Sequence, residues 1–184
     1  MLLNDLLAPT YRNLLTALSA WLDKAVESSG DAVLSVRLAD DMFPLATQIR
    51  FACVQALEGV ARLSGAALPD SVSVLLEEGR HGGEAPGTIA DAQARIRETL
   101  AEVDRIANGG LGLEASAAIA HELPNGMIFD LTAEQYARDW AIPQFYFHLM
   151  AAYAILRSEG IPLGKIDYVA HMLPFLREGT MPEA

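Results

Sequence analysis

Apolar residues recur at three- and four-residue steps over most of this chain, the spacing that lays side chains along one stripe of an α-helix. Leu7, Leu14, Leu18, Trp21, Leu22 and Val26 carry such a stripe and predict a first helix from about Asn4 to Ser28, stopped at Gly30. Pro9 lies in its first turns, where a missing amide donor and a crowding ring predict a bend or a delayed start. A second helix is expected from Asp40 or Asp41, either of which can cap free amides ahead of Pro44. It runs to Leu63 with Gly65 as its stop, and Leu45, Ile49, Ala52, Cys53, Leu57 and Val60 form its apolar face.

Glycine, proline and acidic residues then accumulate from Gly65 to Gly87, which predicts a long connection holding one short element around Val72 to Leu76. Thr88 opens a third helix. With Asp91 three residues on it forms a capping box, and Ile89, Ile96, Leu100, Val103 and Ile106 give the face before Asn108-Gly109-Gly110. Between Ser116 and Leu131 the period changes to two, with Ile119, His121 and Leu123 alternating before Pro124-Asn125-Gly126, a hairpin signal. Thr132 and Gln135 form a second capping box. The helix it starts is expected to be disturbed at Pro143 and to resume to about Ser158, with Gly160 as the stop. A turn and one short helix between Lys165 and Arg177 complete the chain.

Four long amphipathic helices with long crossings, plus one hairpin before the last of them, predict an all-α fold: a four-helix bundle around a shared core. At 184 residues the whole chain, 1–184, reads as a single domain with a tail frayed from about 172. Lys and Arg number 13 against 24 Asp and Glu, a net charge of −11 that repels phosphate backbones and argues against nucleic acid as a partner. One cysteine, Cys53, makes neither an internal disulfide nor a Cys-rich metal site. The N-terminal residues lack a basic n-region, and the most apolar stretch, Ala141 to Leu156, is broken by Pro143, Gln144 and His148. The expectation is a cytoplasmic protein with no membrane partner.

Three stretches carry a family resemblance: Arg37-Leu38-Ala39-Asp40-Asp41-Met42-Phe43-Pro44, then Phe145-Tyr146-Phe147-His148-Leu149-Met150, then Gly160-Ile161-Pro162-Leu163-Gly164-Lys165. Together they resemble an uncharacterised domain-of-unknown-function family within the DinB/YfiT-like helical-bundle superfamily, over about residues 4–170. The resemblance implies a DinB-like four-helix bundle, often a homodimer. It also implies a superfamily in which better-known members hold a divalent metal through three histidines, some of them acting as thiol-dependent S-transferases. His148 matches the first histidine of that superfamily's His-x-x-x-His pair, but the position four on is Ala152 and the second helix has no histidine. Asp41, Gln48 or Cys53 would substitute only in a rearranged site.

A catalytic zinc takes three protein ligands, and His148 supplies one, so no metal is the first expectation and a divalent ion such as zinc or nickel the alternative. Gln144 and His148 share a helical face, and Gln48 and Thr47 lie near the middle of the second helix's first half, a depth at which polar groups need partners. One reading is a buried hydrogen-bond network that sets bundle register. The functional reading is a small-molecule pocket in which Gln48, Gln144, Tyr11 and Tyr153 surround His148, its imidazole serving as anchor, acid or base. The run Trp140, Phe145, Tyr146, Phe147, Tyr153 cannot all face one core, because consecutive helical positions point about 100° apart. The surplus predicts a homodimer patch, with Trp140 or Phe145 on it. Cys53 is expected to be buried and inert. Three functions are in contention: a ligand-binding homodimer, a metal-dependent transferase with an altered ligand set, and a pure protein-interaction module, which predicts an exposed aromatic patch and no enclosed pocket.

Overall fold

The computed structural model describes residues 3–109 and 112–180. Its helices are α1 (Asn4–Ser28), α2 (Leu45–Ser64), α3 (Asp70–Arg80), α4 (Ile89–Ala107), α5 (Ala133–Gln135), α6 (Ile142–Ser158) and α7 (Lys165–Tyr168). Strands β1 (Ala118–Glu122) and β2 (Ile128–Thr132) form the antiparallel hairpin, with His121 opposite Phe129 and Ile119 opposite Leu131. Gly126, at φ 83°, turns it. The protein is an all-α bundle of four long helices with a small hairpin before the last, the expected DinB-like architecture.

Pro9 lies inside α1, and the helix starts at Asn4 regardless. Helix α2 begins later than its sequence predicts. Asp40 and Asp41 sit in a turn, and Pro44, extended at ψ 168°, precedes the first helical residue while its carbonyl accepts from the amides of Thr47 and Gln48. The aspartates stand too far upstream to cap it. Gly65 takes the left-handed conformation at φ 66° that ends the helix. Both threonine capping boxes form, Thr88 with Asp91 and Thr132 with Gln135.

The disturbance expected at Pro143 takes the form of a widened turn. Tyr136–Ala141 adopts π-helical spacing between α5 and α6. Proline's missing amide is accommodated there without breaking the axis, and such bulges recur at functional sites. The short element in the 65–87 connection is α3, and 3₁₀ turns cover Gly30–Ser35 and Ala170–Phe175. Gly110 and the last four residues of the expected tail lie outside the described residues. No helix among the described residues is long and apolar enough to cross a membrane.

Helix α2 is the centre of the packing and touches α1, α3, α4 and α6. The buried residues form one hydrophobic core that draws on every long helix. Along α2 only Phe51, Gln55, Glu58 and Arg62 escape full burial. Their spacing of four, three and four puts them on one stripe of the helix, its least covered face.

Candidate functional site

That open stripe is the floor of a cleft of about 680 Å³, within the 300–1,000 Å³ span usual for small-molecule sites. Phe43 and α3 residues Leu76 and Arg80 form one side, His121 to Pro124 of the hairpin another, and Trp140 and His148 close it from the last long helix and its π turn.

His148 is buried, and its Nδ1 lies 2.9 Å from Oε1 of Gln48. Gln48 in turn donates through Nε2 to the Phe43 carbonyl at 3.1 Å, which fixes the amide's orientation. An amide oxygen only accepts, so Nδ1 carries the proton and Nε2 keeps the lone pair. Burial pushes the His148 pKa down to about 4, so the ring is neutral at pH 7. Phe51 and Phe147 meet the imidazole edge-on at 5.3 and 5.2 Å.

The second histidine comes from the hairpin. Alternation along β1 turns Ile119 and His121 inward, and His121 is only 3% exposed. Its ring lies 4.5 Å from that of Trp140 and 5.3 Å from that of Tyr136, both set by the π turn. Burial, with the Arg62 charge second, holds its pKa at about 4. Both ring nitrogens of His121, Trp140 Nε1 and Gln55 Oε1 are shut away from solvent with no hydrogen-bond partner among the described residues. Each such orphan costs about 1–3 kcal/mol, and these gather just behind the lining of one cleft. On the floor, burial raises the Glu58 pKa while Arg62, 3.8 Å away, opposes the rise.

Of the residues singled out in the sequence, Gln48 and His148 come together; Gln48 lies behind the imidazole and positions it without lining the cleft. Gln144 is half-buried one turn before His148 and is not a wall residue. Tyr11 sits in the core, 4.7 Å edge-on to Phe145, and burial raises its hydroxyl pKa well above 10. Tyr153 packs edge-on against Trp21 at 5.2 Å, toward α1. Phe145 is fully buried and takes no part in an outer patch, whereas Trp140 lines the cleft and Phe147 is 60% exposed. Cys53 is buried, with its pKa raised to about 12 by desolvation.

Sequence reasoning passed over His121, Gln55, Glu58 and Arg62. Their signal was present: a partly polar stripe on an otherwise apolar helix, and a histidine on the inward phase of a strand. The three-histidine metal site does not fit this chain. Ala152 follows His148, and among the described residues no group of three or more His, Cys, Asp or Glu is placed to hold an ion.

No curated protein matches the chain. Among solved structures, a DinB family member from Shewanella denitrificans is similar, with 32% identity and a TM-score of 0.60 over 99% of this chain and 94% of its own. The family described as "Domain of unknown function (DUF1993)" matches residues 3–169, and the chain belongs to that family, within the DinB-like superfamily.

Proposed function

We propose that this protein binds a small molecule in the cleft beneath the hairpin, with His148 as its polar anchor, and does so as a cytoplasmic homodimer. One observation carries the binding reading: the central helix is fully buried except along Phe51, Gln55, Glu58 and Arg62, and the cleft over that stripe is lined by aromatic rings and by His148, whose Nε2 has no partner among the described residues. The imidazole's fixed tautomer supports an acceptor role, since Nε2 is the ring atom left to receive a ligand proton.

The experiment is a thermal-shift and ligand-observed NMR screen of a small aromatic fragment set against wild type and His148→Ala. Fragments that stabilise the wild type and lose their effect in the variant support the reading; none binding, or equal response in both proteins, overturns it.

The homodimer rests on the exposed apolar side chains that α6 turns outward, Phe147 at 60% and Met150 at 41%. Sedimentation velocity should show a dimer for the wild type and a monomer for Phe147→Ser. A monomeric wild type ends this part of the reading. The cytoplasmic setting rests on the single cysteine, which stays a free, buried thiol.

A further inference from the structure

The polar groups of the cleft are mixed in kind and balanced in charge. Arg62 already faces Glu58 at 3.8 Å, and Arg80 faces Glu77 at 3.6 Å, so each guanidinium of the lining has a carboxylate beside it. An anionic ligand would compete with those carboxylates inside a chain of net charge −11, and a cationic one would sit beside two arginines. Neither sign of charge is favoured.

The neutral polar group left to the cleft is the Nε2 of His148, an acceptor, while Gln55 Oε1, Trp140 Nε1 and both nitrogens of His121 are closed off from solvent behind the lining. A hydroxyl donates to such an acceptor without bringing a charge. The remaining wall is aromatic: Phe43 and Phe51 meet edge-on at 5.6 Å, and Trp140 packs against the cross-strand neighbours His121 and Phe129 at 4.5 and 5.7 Å. Flat rings at such spacings receive another flat ring by edge and face contact.

We propose that the cleft takes an uncharged hydroxylated aromatic of one or two rings, its ring among Phe43, Phe51 and Trp140 and its hydroxyl on the His148 imidazole. This specificity rests on the binding reading above and adds the chemical class of the ligand. The Nε2 of His148 receives the hydroxyl proton.

The test uses the wild-type chain with four matched probes: p-cresol, p-xylene, p-toluate and 4-methylbenzylamine. The chain has two tryptophans, and the indole N–H of Trp21 is engaged with the Asp167 carbonyl at 3.3 Å, so the Trp140 indole signal in a ¹H–¹⁵N spectrum is a local reporter, assigned with Trp140→Phe. The expected result is a saturable shift of that signal with p-cresol and about tenfold or more weaker binding of the other three, the loss of roughly one good hydrogen bond or the burial of an unmatched charge. Binding of p-xylene as tight as p-cresol, or tighter binding of the acid or the amine, overturns the ligand class while leaving the cleft as a site. A Trp140 signal unmoved by all four probes overturns the class and the cleft together.

Discussion

The Nδ1 of His148 and the Oε1 of Gln48 lie 2.9 Å apart across 100 residues of sequence, and this single bond ties α6 to α2 at the cleft wall. The Gln48 amide is used on both ends, since its nitrogen holds the Phe43 carbonyl. Gln48→Ala therefore strands a buried imidazole N–H and a backbone carbonyl together. Urea unfolding should show a loss of about 1–3 kcal/mol. A midpoint unchanged from wild type would mean that water replaces the amide, and the positioning role of Gln48 would fall.

Stability should depend steeply on pH between about 6.5 and 4. Burial holds His121 and His148 near 4 in the folded chain, against an ordinary 6.5. In that window the unfolded chain binds protons at both rings and the folded chain does not. The unfolded state thus holds more protons, and stability falls as pH drops from 6.5 toward 4. The contribution is on the order of 2–3 kcal/mol for each ring. The carboxylates of Glu78 and Asp167, whose pKa values are lowered, lose their stabilisation further down, through and below the usual carboxylate range. Chemical unfolding across a pH series, run on wild type and on His121→Gln/His148→Gln, separates the two sources. The double variant should lose the upper part of the slope and keep the lower part; an identical slope in both proteins would refute the assignment to these rings.

Tyr11 owes its place in the core to the absence of a side chain at position 59. A Cβ built on Gly59 would lie 2.4 Å from the Tyr11 hydroxyl and 3.0 Å from Cε2. The ring is fully buried against Phe145 and has nowhere to move. Gly59→Ala should destabilise by about 1–3 kcal/mol, the usual range for overpacking. Tyr11→Phe alone should be close to neutral or mildly stabilising, because among the described residues the hydroxyl has no partner. Combined, the two changes should be less harmful than Gly59→Ala by itself, a coupling that a double-mutant cycle measures. Additive effects would show that the tyrosine does not limit this position.

Local chemistry made much of the fold legible. The capping boxes at Thr88 and Thr132, the left-handed Gly65 and the Asn125-Gly126 turn each act within a few residues, so their signals survive in sequence. The start of α2 was less legible, because two aspartates resembled a cap while Pro44 set the boundary. The cleft was legible only in pieces. The depth of Gln48 and His148 pointed to their pairing, but Tyr11 and Tyr153 differ from them by helical phase, and phase in a bundle is decided by which neighbours pack where. His121 reaches the wall because the hairpin lays it against Tyr136 and Trp140 of the π turn, a contact between segments that share no local pattern. The π turn that aims Trp140 at it was visible only as a proline in a helix.

A histidine whose Nδ1–H rests on an amide oxygen has the outer support that metal-ligating imidazoles use, so the Gln48–His148 pair by itself is compatible with a ligand role. Ligand number decides the matter, because a catalytic zinc takes three protein donors and an isolated imidazole holds a hydrated ion only weakly. The position four residues on is Ala152, and α2 offers Gln55 and a Glu58 already beside Arg62. Protein purified without chelator should carry well below one equivalent of zinc or nickel per chain by elemental analysis. Added metal at about 100 µM should leave the thermal midpoint unchanged, since stabilisation grows only as the logarithm of concentration over Kd. Near one equivalent, lost in His148→Ala, would instead require the chain to gather further ligands on binding, and would replace the organic ligand proposed here with a metal-dependent reaction.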